Sequence, residues 1–510
     1  MITVPTTLLL LTIVQFSTSQ LPPELLQLNK YIIKDASVRS AVCNDGSPAT
    51  FYFRNCPRPG EECAINPNGD QWIIIFEGGE PSSVCYDEES CTQRNNADMS
   101  SLHLPPSFSH ASLNGIFSDS GEGNPNFYEQ RIVWVPYCSS DMWMGNTSTY
   151  RGAAIMNAVV EDLIDTIFTP VSVPTPYGPG PNQTSILNAS RIVIVGKAGI
   201  IRWLDSISKK LTASSNKKNV KVSGVCDGCL ITSKIKPFIS TTKLPCNSNP
   251  KECPPLNLLQ QYSKAVWNFQ YPSRYSFSSS SEEKEEDTNT NNDIDDIDKT
   301  RKRDFTSLFA TLLLSETNTP LMVQHPQYDV LQLQQNRLPN WPTLAGTKES
   351  KYAQSFAKEI RYITNLHNNN TGMYTFAPSC IGTPQSILSN ESHHDVSSSS
   401  SRSSSSSRSV RSTSMILSHN GFFCKPISKC VLLGRNNTIH SITYSSAVSM
   451  FLNDPTFQPK CIDECPTIQC NQYCTTPKCG FQNVLLPLPP LPPLPPLPPL
   501  PPLPAPLSPR

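Results

Sequence analysis

Four short segments place glycine, carboxylate, cysteine or lysine directly after an apolar run, where a catalytic group can be presented. Glu77-Gly78-Gly79-Glu80 follows Trp72-Ile73-Ile74-Ile75-Phe76. Two glycines there let backbone N–H groups face a site, as an oxyanion hole requires; the same pair also makes a plain turn. Pro136-Tyr137-Cys138-Ser139-Ser140-Asp141 follows Ile132-Val133-Trp134-Val135. Gln324-His325-Pro326-Gln327-Tyr328-Asp329 follows Leu321-Met322-Val323, putting the Asp329 carboxylate where a triad acid belongs, or else in solvent. The fourth run, Ile192-Val193-Ile194-Val195, leads into Gly196-Lys197-Ala198-Gly199-Ile200. A serine hydrolase needs G-x-S-x-G at such a point, with glycines permitting the turn that lifts the hydroxyl into the site. Here the glycines are present and the serine is not.

Cysteine patterns offer a second chemistry. Cys226-Asp227-Gly228-Cys229 is C-x-x-C, and Cys461, Cys465, Cys470, Cys474 and Cys479 follow at spacings of four and five. Zinc would use such thiolates, but no His pair accompanies them, and disulfides are the favoured reading. Cys85 with Cys91, and Cys246 with Cys253, have the spacing of small-loop bridges. Spacing alone fixes no connectivity.

The elements that must position these groups alternate. The four apolar runs read as strands buried on both faces of a parallel sheet. Ile155, Val159, Leu163 and Ile167 recur at four-residue intervals, and Ile200, Leu204, Ile207 and Leu211 at i, i+4, i+7, i+11, each the stripe of one helix face. Strand, helix, strand, helix predicts an α/β fold with a mostly parallel sheet flanked by helices. Two polar stretches interrupt it, 278–303 (acidic and basic) and 397–409 (nearly all serine), and both have too little apolar surface to fold alone. From Leu486 the chain repeats Leu-Pro-Pro, which favours a polyproline II tail.

The chain has 510 residues with 41 Lys+Arg and 41 Asp+Glu, so its formal net charge of zero makes no case for nucleic acid. Its 18 cysteines suit an oxidising compartment. An apolar run from Thr7 to Phe16, followed by Ser17-Thr18-Ser19, has the form of a signal peptide, and no other run has the roughly 20 apolar residues of a spanning helix. Sequons at Asn146, Asn182, Asn188, Asn369, Asn390 and Asn436 fit an exported, glycosylated surface. The expected layout is a signal peptide at 1–19, one domain over 20–480 carrying the two inserts, and a disordered tail at 481–510. No cofactor and no metal site are expected.

The chain resembles the Notum carboxylesterases, relatives of plant pectin acetylesterases. Cys43-Asn44-Asp45-Gly46-Ser47-Pro48, Glu77-Gly78-Gly79, Phe376-Ala377-Pro378-Ser379-Cys380 and Cys461-Ile462-Asp463-Glu464-Cys465-Pro466 carry the likeness. The most specific segment is Pro136-Tyr137-Cys138-Ser139-Ser140-Asp141-Met142-Trp143-Met144-Gly145, and Tyr328-Asp329 is nearer the plant branch. The resemblance implies a secreted α/β hydrolase that removes the palmitoleate ester from Wnt ligands with a Ser-Asp-His triad. It puts Asp329 on the triad acid and Gly78, Gly79 and Ala198 at or near the oxyanion hole.

Three departures bear on that expectation. The family elbow reads Gly-Ser-Ser-Ala-Gly-Gly-Thr-Gly, whereas here the turn is shorter and Lys197 takes the nucleophile's place. The family histidine lies three residues after a cysteine; Cys380-Ile381-Gly382-Thr383 puts Thr383 there, and His393 and His394 read as surface residues beside the serine run. Glu80 and the insertion before Cys85 replace aromatic residues near the lipid pocket. Removing a triad member costs ~10⁴ to 10⁶ in kcat. Three readings follow: a hydrolase fold with impaired catalysis that binds a lipid-modified Wnt-type ligand or a glycan; an active Wnt deacylase whose sequence is faulty at the elbow; or a non-enzymatic extracellular glycoprotein.

Overall fold

Apolar runs flanked by helical stripes must bury both faces of the sheet they form, and here they do. The computed structural model describes residues 27–54, 71–78, 99–108, 130–168, 185–231, 317–329, 346–367, 373–377, 381–382, 427–433, 439–453 and 458–463, with residues 84, 85, 91, 127, 314, 332, 333, 336, 338 and 379 between them. The inserts, the tail, the N-terminal apolar run and the Cys246/Cys253 pair lie outside these residues.

In chain order the strands are β1 (Leu28–Ile32), β2 (Thr50–Arg54), β3 (Gln71–Phe76), β4 (Ser107–Phe108), β5 (Arg131–Val135), β6 (Arg191–Gly196), β7 (Lys221–Asp227), β8 (Leu321–Gln324), β9 (Tyr328–Asp329), β10 (Met373–Ala377), β11 (Ile381–Gly382), β12 (Ile427–Leu433), β13 (Ile439–Thr443) and β14 (Gln458–Ile462). The helices are α1 (Gly152–Asp165), α2 (Ala198–Ser214), α3 (Lys348–His367) and α4 (Tyr444–Asn453). Twelve strands form one sheet in the order β13-β12-β14-β10-β8-β7-β6-β3-β5-β2-β1-β4. From β14 through β5 every pairing is parallel, and antiparallel strands finish both edges. The predicted α/β sheet is therefore correct.

Alternation within each run assigns its residues to two cores. Ile74, Phe76, Val133, Val135, Ile192 and Ile194 pack with Ile155, Val159 and Leu163 of α1 and with Ile200, Leu204, Ile207 and Leu211 of α2. Ile73, Ile75, Ile132, Trp134, Val193 and Val195 point the other way, sharing a cluster with Val448 and Phe451 of α4. Each fully buried side chain of this size stabilises the fold by about 1.5–3 kcal/mol.

Two elements depart from the sequence reading. Ile167 does not continue the α1 stripe: the chain turns extended at Thr166 and Ile167 is 58% exposed. Phe168 fills the core instead, its ring 4.1 Å from that of Phe53 and 6.0 Å from that of Trp72. β7, between β6 and β8, was not anticipated, because Ser223 and Gly224 interrupt its apolar run.

The segment after β5 is held by many contacts at once. Ser140, Met142 and Trp143 all have positive φ (51°, 56° and 64°), a conformation costing roughly 1–3 kcal/mol per non-glycine residue. The buried Asp141 carboxylate accepts hydrogen bonds from Ser139 Oγ (2.6 Å), Trp143 N (3.0 Å) and Gly152 N (2.7 Å), the last being the first amide of α1. It thus supplies the hydrogen-bond acceptor that a helix N-terminus favours. Tyr137 Oη accepts from Met142 N (2.7 Å), Asn44 Nδ2 donates to Ser140 Oγ (2.8 Å), and Cys43 is bridged to Cys138. Trp143 in turn donates from Nε1 to the Glu77 carbonyl (3.0 Å) and accepts at its own carbonyl from Trp203 Nε1 of α2 (2.8 Å). The loop therefore joins the ends of β3 and β5 to α2.

Two predictions follow from this packing. A Cβ at Gly199 would meet the Met142 carbonyl oxygen and the Trp143 Cβ, so Gly199→Ala is expected to cost about 1–3 kcal/mol, read as a lowered urea midpoint. Burial outweighs the hydrogen bonds at Asp141 and raises its pKa from 3.8 to about 7. The folded chain therefore holds a proton there that the unfolded chain has released, so this contribution is complete below 3.8 and is lost as pH rises through about 7. Wild-type urea midpoints should fall between pH 5 and pH 8, and Asp141→Asn should flatten that slope while lowering stability by about 1–3 kcal/mol.

Candidate active site

In an open parallel sheet, ligands bind beyond the carboxyl ends of the strands where the strand order reverses. That reversal lies between β3 and β6: β5 is added on one side of β3, and β6, β7 and β8 extend the sheet on the other. Ile75 pairs with Val195, so Gly78 and Lys197 emerge at neighbouring strand ends. Gly78 has φ +71°, and a Cβ there would lie 2.7 Å from Tyr137 Cβ, so the first glycine is required by both conformation and space. Gly79 lies outside the described residues.

The elbow is a real turn into a helix. β6 ends at Gly196, Lys197 caps α2, and Ile200 N donates to the Lys197 carbonyl (3.0 Å). Lys197 has φ −101°, so the turn is made without the left-handed strain of a nucleophile elbow. Ala198 is the first residue of α2, placing its backbone N–H at the helix N-terminus beside the site. Lys197 itself is 3% exposed, an unusual setting for lysine. Beneath it lies the Cys226–Cys229 disulfide, with Cys226 Sγ 3.3 Å from the Lys197 carbonyl oxygen. The C-x-x-C is thus a disulfide, as is Cys85–Cys91.

Asp329 is buried at the end of β9. Its carboxylate accepts from Gln332 N (3.2 Å) and Gln332 Nε2 (2.7 Å), and Gln332 Nε2 also reaches the Leu230 carbonyl (2.7 Å). Of the two settings the sequence left open, the carboxylate is hydrogen-bonded and buried, not solvent-facing.

The residue that sequence reasoning missed is His325. It directly follows β8, is fully buried, and has Nε2 3.6 Å from Asp329 Oδ2 and 3.3 Å from Gln332 Nε2. Its backbone N donates to the Phe376 carbonyl (3.0 Å), fixing it between β8 and β10. Burial, and then the nearby charge of Lys197, lower its pKa from 6.5 to about 3, so the ring is neutral. The signal was present in Gln324-His325-Pro326-Gln327-Tyr328-Asp329, but its i,i+4 spacing acquires meaning only when the intervening turn folds back on itself.

Thr383, His393 and His394 lie outside the described residues. What leads toward position 383 is anchored: Ser379 N donates to Asp463 Oδ2 (2.9 Å), and Gln327 Nε2 donates to the carbonyls of Ala377 (2.8 Å) and Asp463 (2.7 Å). Of the sequons, Asn146 and Asn188 are exposed; Asn182, Asn369, Asn390 and Asn436 lie outside the described residues. Among the described residues no cluster of His, Cys, Asp and Glu is arranged to hold a metal, and no helix is long and apolar enough to cross a membrane.

Comparison with known proteins places this geometry. The family model described as Pectinacetylesterase matches residues 23–169. The inactive palmitoleoyl-protein carboxylesterase notum1b of Danio rerio is 33% identical over 124 residues, which cover 24% of this chain and 76% of that protein. The palmitoleoyl-protein carboxylesterase NOTUM of Schmidtea mediterranea is 23% identical over 321 residues, 61% of this chain but only 50% of that protein. The crystal structure of the Wnt deacylase Notum from Drosophila superposes with a TM-score of 0.53 at 20% identity, covering 88% of this chain and 99% of that one, and shares its fold. At 33% identity over three quarters of the length of notum1b, the chain belongs to the Notum palmitoleoyl-protein carboxylesterase family, as a divergent member.

Proposed function

We propose that this chain is a secreted Notum-type protein in which ester hydrolysis by the family mechanism is impaired, leaving a fold that binds a lipid-modified, Wnt-type ligand or a glycan. The observation that carries this reading is Lys197, a buried amine at the turn where the mechanism needs a hydroxyl. Losing the nucleophile alone removes ~10⁴ to 10⁶ of kcat, and an amide formed on a lysine would not turn over readily. A relative that carries the word inactive in its name supports the idea that the family tolerates such a loss. Disulfides at Cys43–Cys138, Cys85–Cys91 and Cys226–Cys229 support export, as does the apolar leader. The proposed layout is a signal peptide at 1–19, the hydrolase-like domain at 20–480 with inserts at 278–303 and 397–409, and a tail at 481–510.

The test is mass spectrometry of a palmitoleoylated Wnt-derived peptide incubated with the purified protein. The acyl mass should persist, and the acylated peptide should be retained by immobilised protein in preference to its unacylated form. Loss of the acyl group would overturn the reading in favour of an active deacylase. Sequencing the transcript across residues 190–205 would then show whether a serine belongs at the elbow.

A further inference from the structure

We propose that His325 is the base position of this site, paired with Asp329 four residues further along the chain, so that the chain lacks one catalytic group, the hydroxyl, and not two. The inference rests on the reading that Lys197 has displaced the nucleophile.

Strand register carries the argument. Gly196 pairs with Cys226, and Cys226 with Val323, so Lys197 is level with Asp227 and Gln324, and His325 lies one residue further on. Positions 197 and 325 are thus on strands two steps apart, about 10 Å at the backbone. A serine and a histidine side chain reaching toward each other, plus one hydrogen bond, span about that distance. The ring has an acid beside one nitrogen and leaves the other open. Nε2 faces the Asp329 carboxylate and the Gln332 amide, while the fully buried Nδ1 has no hydrogen-bond partner among the described residues. A neutral imidazole oriented through one nitrogen by a carboxylate, with the other nitrogen unengaged, is the base half of a hydrolase. Gln332 holds the acid from two directions and touches the ring, so the orientation is supported. Lys197 lies close enough for its charge to act on the ring.

With a hydroxyl at position 197, His325 takes its proton as the oxygen bonds to an ester carbonyl carbon. The ring then returns that proton to the departing alkoxide. Water next attacks the acyl carbon, gives a proton to His325, and the ring passes one to the serine oxygen as the carboxylic acid leaves.

The experiment uses the full secreted chain and p-nitrophenyl butyrate, comparing wild type with K197S, K197S/H325Q and K197S/T383H. Melting temperatures establish which variants are folded. K197S should hydrolyse the ester above the wild-type background. His325→Gln in that background should lower kcat by ~10²–10⁴ with KM unchanged, a split that a packing role would not give. A folded K197S without turnover overturns the inference, as does turnover indifferent to His325→Gln or appearing only with Thr383→His. If K197S does not fold, Lys197→Cys replaces it, read by the rate of iodoacetamide alkylation. A rate that falls with His325→Gln supports the base, and an unchanged rate overturns it. Turnover by the wild-type chain would instead overturn the reading that Lys197 abolishes hydrolysis.

Discussion

One buried carboxylate holds the top of this molecule together. Asp141 has no access to solvent, yet it accepts a serine hydroxyl, the Trp143 amide and the first amide of α1. Without that acceptor, three left-handed non-glycine residues within four positions would have no counterweight, and the loop that meets the elbow would have no fixed shape. Gly199 exists to let that loop approach: its missing side chain is the space occupied by the Met142 carbonyl. The elbow and the loop therefore specify each other, independently of what residue 197 does chemically.

At the site the balance is electrostatic. A lysine at a helix N-terminus meets the positive end of the macrodipole and loses water by burial, both unfavourable for an ammonium. Burial, and then the charge of Lys197, keep the His325 ring neutral beside Asp329. Around it, Gln332 clamps the Asp329 carboxylate and Gly78 makes its left-handed turn. The side chain at the turn departs from the serine of the family elbow, while the strand-to-helix turn itself is kept.

The comparisons fit that division. The family model stops at residue 169, before the elbow and the triad positions, and the matched part includes the Asp141 loop. Likeness to the Drosophila structure spans 88% of this chain at 20% identity, a shared fold at low sequence identity.

The sequence by itself determined the sheet and its order of construction, because apolar runs buried on both faces and helical stripes of fixed period have few other solutions. It also located the elbow and exposed the missing serine, which are matters of residue identity at a strand end. It placed the acid at Asp329 for the same reason. What it left undecided was anything set by packing between distant segments. Phe168 replaced Ile167 in the core because the helix end is settled by which ring fits beside Phe53 and Trp72. β7 became visible only through its neighbours, since Ser223 and Gly224 hide its period. Tertiary structure alone decided that the His325 ring lies beside Asp329 and that Lys197 is buried. Sequence order encodes which residues end each strand; only the sheet's lateral order brings the ends of β6 and β8 to the same place.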